Sequence, residues 1–131
     1  DGAFSYLQTA RFNGEAKQIL GPARLHLMQP TVFLDSEERA RAAARKAISF
    51  YLPLENYHRA WRARGFVDDD FAGVGTDQFV DELVVWGDDS EIVAKFDREF
   101  ASGADHLIII PVKLDLKNEL GWQRLSKIIT S

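Results

Sequence analysis

The chain has 131 residues, of which 46% are hydrophobic and 27% charged, with a formal net charge of −4. These values are typical of one globular domain. The 16 lysine and arginine residues are scattered and form no basic block for nucleic acid or anionic membranes. The absence of cysteine excludes disulfides and thiolate chemistry. No apolar run approaches the length of a bilayer span. We therefore expect a cytoplasmic protein without nucleic-acid or membrane partners.

The first third of the sequence predicts two strands and a helix between them. Residues 3–7 are a short strand candidate. Asn13 can cap a helix that Gly21 stops. The second strand is expected at 31–34, with Pro30 at its start or at a bulge because proline cannot donate to a ladder.

The middle of the sequence predicts a series of helices. Asp35 and Glu38 have capping-box spacing and begin the most regular one. Its apolar face carries Ala40, Ala43, Ala44, Ala47, Ile48 and Tyr51. A second helix spans 54–64 and ends at a glycine, the acidic run 68–70 suits a helical start, and Thr76 caps a further helix.

The most informative stretch runs from Trp86 to Val112. Asp88 and Glu91 form a second capping box. The helix that follows has one apolar face and a terminal glycine: Ile92, Val93, Phe96, Phe100 and Gly103. Residues 107–112 are all apolar or proline, which predicts a strand inside a parallel sheet covered by helices. A last helix from Asn118 is expected to turn four residues inward, namely Leu120, Leu125, Ile128 and Ile129.

This set of elements leaves a sheet incomplete. Three strands and about six helical segments cannot cover the edges of their own sheet, and exposed edges invite aggregation. Either more chain belongs to the fold, or the strands pair with another copy.

The order and spacing of seven motifs point to a family. They are Asp1-Gly2-Ala3-Phe4-x-Tyr6-Leu7, Ile19-Leu20-Gly21-Pro22, Val32-Phe33-Leu34-Asp35, Tyr51-Leu52-x-Leu54-x-Asn56-Tyr57, Trp61-x-x-x-Gly65-Phe66, Val84-x-Trp86-Gly87-Asp88 and Gly103-Ala104-Asp105-His106. Together they span nearly the whole chain. In this pattern the chain resembles the later part of luciferase-like monooxygenases, and most of all the actinobacterial-type proteins that use the deazaflavin coenzyme F-420.

The resemblance implies a fold and a chemistry. The fold would be the C-terminal part of a TIM-type (β/α)₈ barrel, formed by its last three strands with a helical insertion at about 53–87 between the final two. Such a barrel needs roughly 250 residues, so its N-terminal half, which supplies most of the cofactor pocket, would lie outside this chain. The implied activity is hydride transfer or monooxygenation of a small organic substrate by F-420, or alternatively by the flavin FMN.

Candidate site residues follow from the barrel, whose active sites lie at the carboxyl ends of strands. The candidate segments are 4–7 with the loop to 11, Asp35–Ser36 and Val112–Lys113. Under the resemblance, we expect cofactor contacts from Gly2, Ala3 and Tyr6. No residue is assigned to catalysis, and no metal site is expected.

Simpler explanations stand beside these functional ones. Gly2 also suits a tight turn, and Asp35 is explained by its cap. The aromatic residues Tyr51, Tyr57 and Trp61 have the spacing of a helical core face, although they could also stack on a flat ring. The three histidines are far apart in sequence.

Three hypotheses therefore remain. The chain is the C-terminal portion of a flavin- or deazaflavin-dependent oxidoreductase, inactive alone, or a non-catalytic relative that forms a homodimeric binding or structural module. The third hypothesis is an unrelated α/β binding module.

Overall fold

The computed structural model describes residues 1–34, 36–112, 117 and 119–130. Four strands and seven helices lie in this described part. In chain order they are β1 (Gly2–Tyr6), α1 (Ala10–Leu20), β2 (Arg24–Val32), α2 (Glu37–Ile48), α3 (Glu55–Ala63), α4 (Asp68–Phe71), α5 (Asp77–Leu83), β3 (Val85–Trp86), α6 (Asp89–Ser102), β4 (His106–Val112) and α7 (Glu119–Thr130). None of the described helices is long and apolar enough to cross a bilayer.

The strand β2 is the centre of the sheet. It pairs in parallel with β1 along residues 24–28, with β4 along 26–32 and with β3 at 31–32. A strand has two edges, and β4 fills one of them. The strands β1 and β3 therefore share the other. Parallel strands joined through helices confirm the predicted α/β class.

The second strand differs from its prediction. β2 begins at Arg24 and has nine residues, whereas the sequence predicted a strand at 31–34. Pro30 lies inside β2 instead of at its start. On the β1 edge, pairing stops at Met28 and resumes with β3 at Thr31. Pro30 thus falls in a gap between two neighbours, where that edge needs no ladder donor. The two-residue strand β3 was not predicted.

The two faces of the sheet are covered differently. Leu25, Leu27 and Phe33 point to one face and are buried beneath α1, α6 and α7. Alternate residues point to the other face. Near the carboxyl ends of the strands that other face, including Val32, is packed against α2 and α5.

The amino half of this second face has no helical layer in the described structure. We call it the open face, and it comprises Phe4, His26, Met28, His106, Ile108 and Ile110. Phe4 is 68% exposed and stacks on the ring of His26, with centroids 5.0 Å apart. These six residues include no Asp, Glu, Lys or Arg, whereas the exposed Arg24 lies on the same face at the amino end of β2.

The Ile-rich strand β4 is an edge strand here, contrary to the prediction of an interior strand covered on both faces. It pairs with β2 alone among the described residues, and none of its seven residues is fully buried. The outer edge of β1 likewise has no partner in the described part of the chain. The predicted shortage of strands is therefore seen at both ends of this sheet.

Most helices beyond the first are confirmed. Helix α2 buries Ala40, Ala43, Ala44 and Ile48, as predicted. In α6 the amide of Asp88 donates to Glu91 at 2.8 Å and the amide of Glu91 donates back at 2.9 Å, which is the predicted capping box. Gly103 ends α6 in the left-handed region with φ of 119°.

Two helix termini and one helix face correct the predictions. Thr9 caps α1 instead of Asn13, and Ser36 caps α2. Asp35 and Asn118, expected as caps, lie outside the described residues. In α7 Ile128 is buried, but Leu120 and Ile129, predicted to face inward, are 61% and 62% exposed.

Asn13 is not a cap because its side chain joins a buried polar network between β1, α1 and α6. The Ser5 hydroxyl donates to Asn13 Oδ1 at 2.7 Å, and Asn13 Nδ2 donates to Glu99 Oε2 at 3.1 Å. Burial raises the pKa of Glu99, and the Asn13 hydrogen bond and the charge of Arg98 offset only part of that effect.

This network predicts that Glu99→Gln stabilises the protein at neutral pH. The folded state holds the Glu99 proton more tightly than the unfolded chain, so the wild type loses stability as pH rises above the ordinary pKa of 4.5. Glutamine keeps an acceptor for Asn13 without this ionisation. We expect a higher melting temperature for the variant at pH 7 and no difference below pH 4, measured by circular dichroism. The exposed control Glu38→Gln should show no such gain, and a pH-independent difference for Glu99→Gln would contradict the prediction.

Candidate functional site

The carboxyl end of β1 carries an unusual backbone conformation. Leu7, directly after Tyr6, has φ of 53° and is the one non-glycine residue with positive φ in the described chain. Its side chain is 2% exposed. A left-handed leucine costs roughly 1–2 kcal/mol, so the surrounding structure must hold it in place.

The buried indole of Trp61 holds this strand end. Its Nε1–H donates to the Leu7 carbonyl at 3.0 Å, and the ring is fully buried against Phe71 and Phe79. Trp61 lies on α3, in the stretch predicted as a helical insertion. The prediction of a core residue at this position is confirmed.

Three tyrosines gather beside this contact. The ring centroids of Tyr6 and Tyr51 are 5.3 Å apart, and those of Tyr51 and Tyr57 are also 5.3 Å apart. Burial raises the pKa of Tyr6 above its ordinary value, and a hydrogen bond with Tyr51 raises it further. Burial likewise raises the pKa of Tyr57. The hydroxyls of Tyr6 and Tyr57 therefore stay protonated at neutral pH and act as hydrogen-bonding groups, not as bases.

Gln8 follows Leu7 and precedes the cap of α1. Its side-chain oxygen Oε1 is buried and has no hydrogen-bond partner among the described residues. A buried acceptor without a donor is uncommon in folded proteins and asks for an explanation. The sequence placed this residue in a candidate loop but gave no reason to single it out.

The predicted cofactor residues lie at two ends of β1. Tyr6 belongs to the carboxyl-end cluster, whereas Gly2 and Ala3 lie at the amino end, about 13 and about 10 Å away along the strand. A Cβ at Gly2 would lie 2.6 Å from the Arg24 carbonyl oxygen. Close backbone approach to β2 thus explains the glycine. Cofactor contact by these three residues stays a prediction.

The other strand-end candidates have local roles or are not described. Ser36 Oγ accepts from the Arg39 amide at 3.3 Å as the α2 cap. Val112 packs against the same core cluster as Tyr6. Asp35 and Lys113 lie outside the described residues.

A cavity of about 670 Å³ lies at the carboxyl ends of β2 and β3. Its lining residues are Leu34, Ser36, Glu37, Trp86, Gly87, Asp88, Asp89, Ser90, Glu91, Leu120 and Arg124. Its carboxylates are engaged within the fold: Glu37 pairs with Arg41, and Asp89 accepts from Arg124 at 2.7 Å. Asp88 and Glu91 form the α6 capping box. No predicted cofactor residue lines this cavity.

The parallel register brings together two histidines that the sequence separates. His26 and His106 are paired residues of β2 and β4, with ring centroids 5.5 Å apart. No group of three or more potential metal ligands occurs within the described residues.

No family model, curated protein or solved structure matches this chain.

The Trp61 contact predicts a stability effect for Trp61→Phe. Phenylalanine keeps an aromatic core residue but leaves the buried Leu7 carbonyl without its donor, which should lower the free energy of unfolding by about 1–3 kcal/mol. Urea denaturation followed by circular dichroism measures the change. The matched control Trp122→Phe, at a position that is 40% exposed, should change it by less than about 0.5 kcal/mol. Equal effects of the two substitutions would contradict the assigned role.

Proposed function

We propose that this chain forms the C-terminal strands and helical insertion of a luciferase-like (β/α)₈ barrel, and that it takes part in binding F-420 or FMN in an oxidoreductase. The supporting observation is the arrangement of the sheet. All strand pairings in the described part of the chain are parallel, and β1, β2 and β4 follow one another across the sheet. Helices α1, α6 and α7 cover one face, whereas α2 and α5 pack on the other face only near the carboxyl ends of the strands and leave its amino half open. A doubly wound sheet carries a helical layer over both faces, whereas a barrel leaves its inner face without one.

The residues at the end of β1 suit a flat, largely apolar ring. Tyr6 and Tyr51 offer aromatic surface together with hydroxyl groups, and the six residues of the adjoining open face include no Asp, Glu, Lys or Arg. In this proposal Tyr6 contacts the ring and Tyr51 positions Tyr6. The bound flavin or deazaflavin would supply the hydride or oxygen chemistry.

The proposal predicts that Tyr6→Ala weakens cofactor binding. The full-length product of the reading frame should quench the fluorescence of F-420 or FMN on titration, and loss of the Tyr6 ring should raise the Kd about 2- to 10-fold. Phe100→Ala, at a half-exposed position on the helical side of the sheet, is the control and should leave the Kd unchanged. A folded full-length product that binds neither cofactor would overturn the proposal.

A second candidate function, a homodimeric binding or structural module, is supported by the two unpaired strand edges. The β4 edge presents seven residues without any Asp, Glu, Lys or Arg, although natural edge strands commonly use charge to prevent pairing. The open face beside it leaves Phe4 mostly exposed. A second copy that covered this face would bury both features.

The dimer candidate predicts that Phe4→Asp gives a monomer. A charge at this exposed position would be buried in the interface but tolerated in the free chain. Size-exclusion chromatography with light scattering should give twice 14.8 kDa for the wild type and 14.8 kDa for the variant. The control Val74→Asp, at another exposed apolar residue, should remain dimeric. A wild type that is a compact monomer at every concentration would rule this candidate out.

A further inference from the structure

We propose that Gln8 is a ligand-binding residue, whose side-chain carboxamide pairs with the ring imide of a planar heterocycle at the carboxyl end of β1. This inference rests on the proposed function and adds to it a specific contact and a ligand chemistry. Neither the motifs nor the periodicity of the sequence assigns Gln8 a role.

First, the side-chain oxygen Oε1 of Gln8 is a buried acceptor that lacks a donor in the described structure. A buried acceptor without a donor lowers the stability of the folded protein by roughly 1–3 kcal/mol. A ligand that donates a hydrogen bond to this acceptor would remove that penalty, which favours binding. Within the described chain, Arg64 Nε is the other buried side-chain nitrogen or oxygen atom without a hydrogen-bond partner. The Arg64 guanidinium is otherwise engaged, since Nη1 pairs with Glu15 at 3.0 Å and the group lies over the Phe12 ring at 4.4 Å. Oε1 of Gln8, by contrast, is the sole acceptor of its side chain.

The second step is the backbone that carries Gln8. The preceding residue, Leu7, is held left-handed by Trp61, and the following residue, Thr9, is fixed as the α1 cap through its bond from the Phe12 amide at 3.2 Å. The backbone of Gln8 is therefore held in place by the residues on both sides of it. Backbone strain of this kind clusters at ligand clamps and active sites.

The third step is the chemistry of the ligand. Tyr6 lies two residues before Gln8 and its ring packs against Tyr51, with centroids 5.3 Å apart, and the six residues of the open face include no Asp, Glu, Lys or Arg. A cation would find no countercharge there, and an anion would be repelled by the acceptor oxygen of Gln8. A neutral ring imide presents an N–H beside a C=O, which matches the C=O and N–H₂ of the carboxamide. The pyrimidine portion of flavins and deazaflavins carries such an imide.

The test compares riboflavin with its analogue methylated on the imide nitrogen, using the full-length product. Methylation removes the proposed donor. We expect Gln8→Met to raise the Kd of riboflavin about 3- to 10-fold, in line with the loss of one hydrogen bond. The analogue should bind the wild type about as weakly as riboflavin binds the variant, and Gln8→Met should not weaken it further. The control Gln18→Met, at an exposed position on α1, should leave both affinities unchanged.

The melting temperature of the free protein gives a second readout. Methionine replaces an unsatisfied carboxamide by an apolar group of similar length, so Gln8→Met should melt at or above the wild-type temperature while binding riboflavin less tightly. A clear loss of thermal stability would show that Oε1 already has a partner and would overturn the inference. Equal riboflavin affinity in wild type and variant would also overturn it, while leaving the proposed function intact. A wild type that binds neither riboflavin nor F-420 would overturn both.

Discussion

The fold depends on the pairing of β2 along both of its edges. Every strand pairing in the described structure involves β2, which fixes the position of β1 along one edge and of β4 along the other. The register also decides which side chains share a face. The side chains of Leu25 and Leu27 pack beneath the helices, whereas those of His26 and Met28 lie on the open face. Because side chains alternate along a strand, a slip of one residue would exchange these sets and expose the leucines. The apolar packing on the helical face therefore fixes the composition of the open face.

Helix α3 contacts the carboxyl end of β1 at the carbonyl of Leu7. Trp61 contributes both the hydrogen bond and a ring packed among Phe71 and Phe79, and the aromatic series continues through Tyr57 and Tyr51 to Tyr6. A strained residue persists only where its surroundings over-determine it. Trp61 of α3 supplies that constraint, so this helix shapes the carboxyl end of β1.

Local patterns predicted much of the fold, and tertiary contacts account for the errors. The α6 capping box and the left-handed Gly103 need only neighbouring residues, and both are confirmed. Asn13 was taken for a cap because its partner Glu99 is 86 residues away. Pro30 and the proximity of His26 to His106 depend on strand register, which no local pattern encodes. At the candidate site, the sequence pointed to Tyr6 and to the loop after it. It could not indicate a left-handed leucine, for which glycine would be the usual signal, or an unpartnered Gln8.

The departures from local rules converge on one strand. Leu7 carries the positive φ, Gln8 has the buried acceptor without a donor, and Ser5 joins the network that contains the buried carboxyl of Glu99. The first two are unfavourable by themselves, and all three involve β1 or the residues directly after it. Local propensity and packing agree through most of the helices, as expected of a sequence that specifies one structure. Natural proteins break such consistency chiefly where function requires it. These features lie at the carboxyl end of β1, the strand from which the resemblance leads us to expect cofactor contacts.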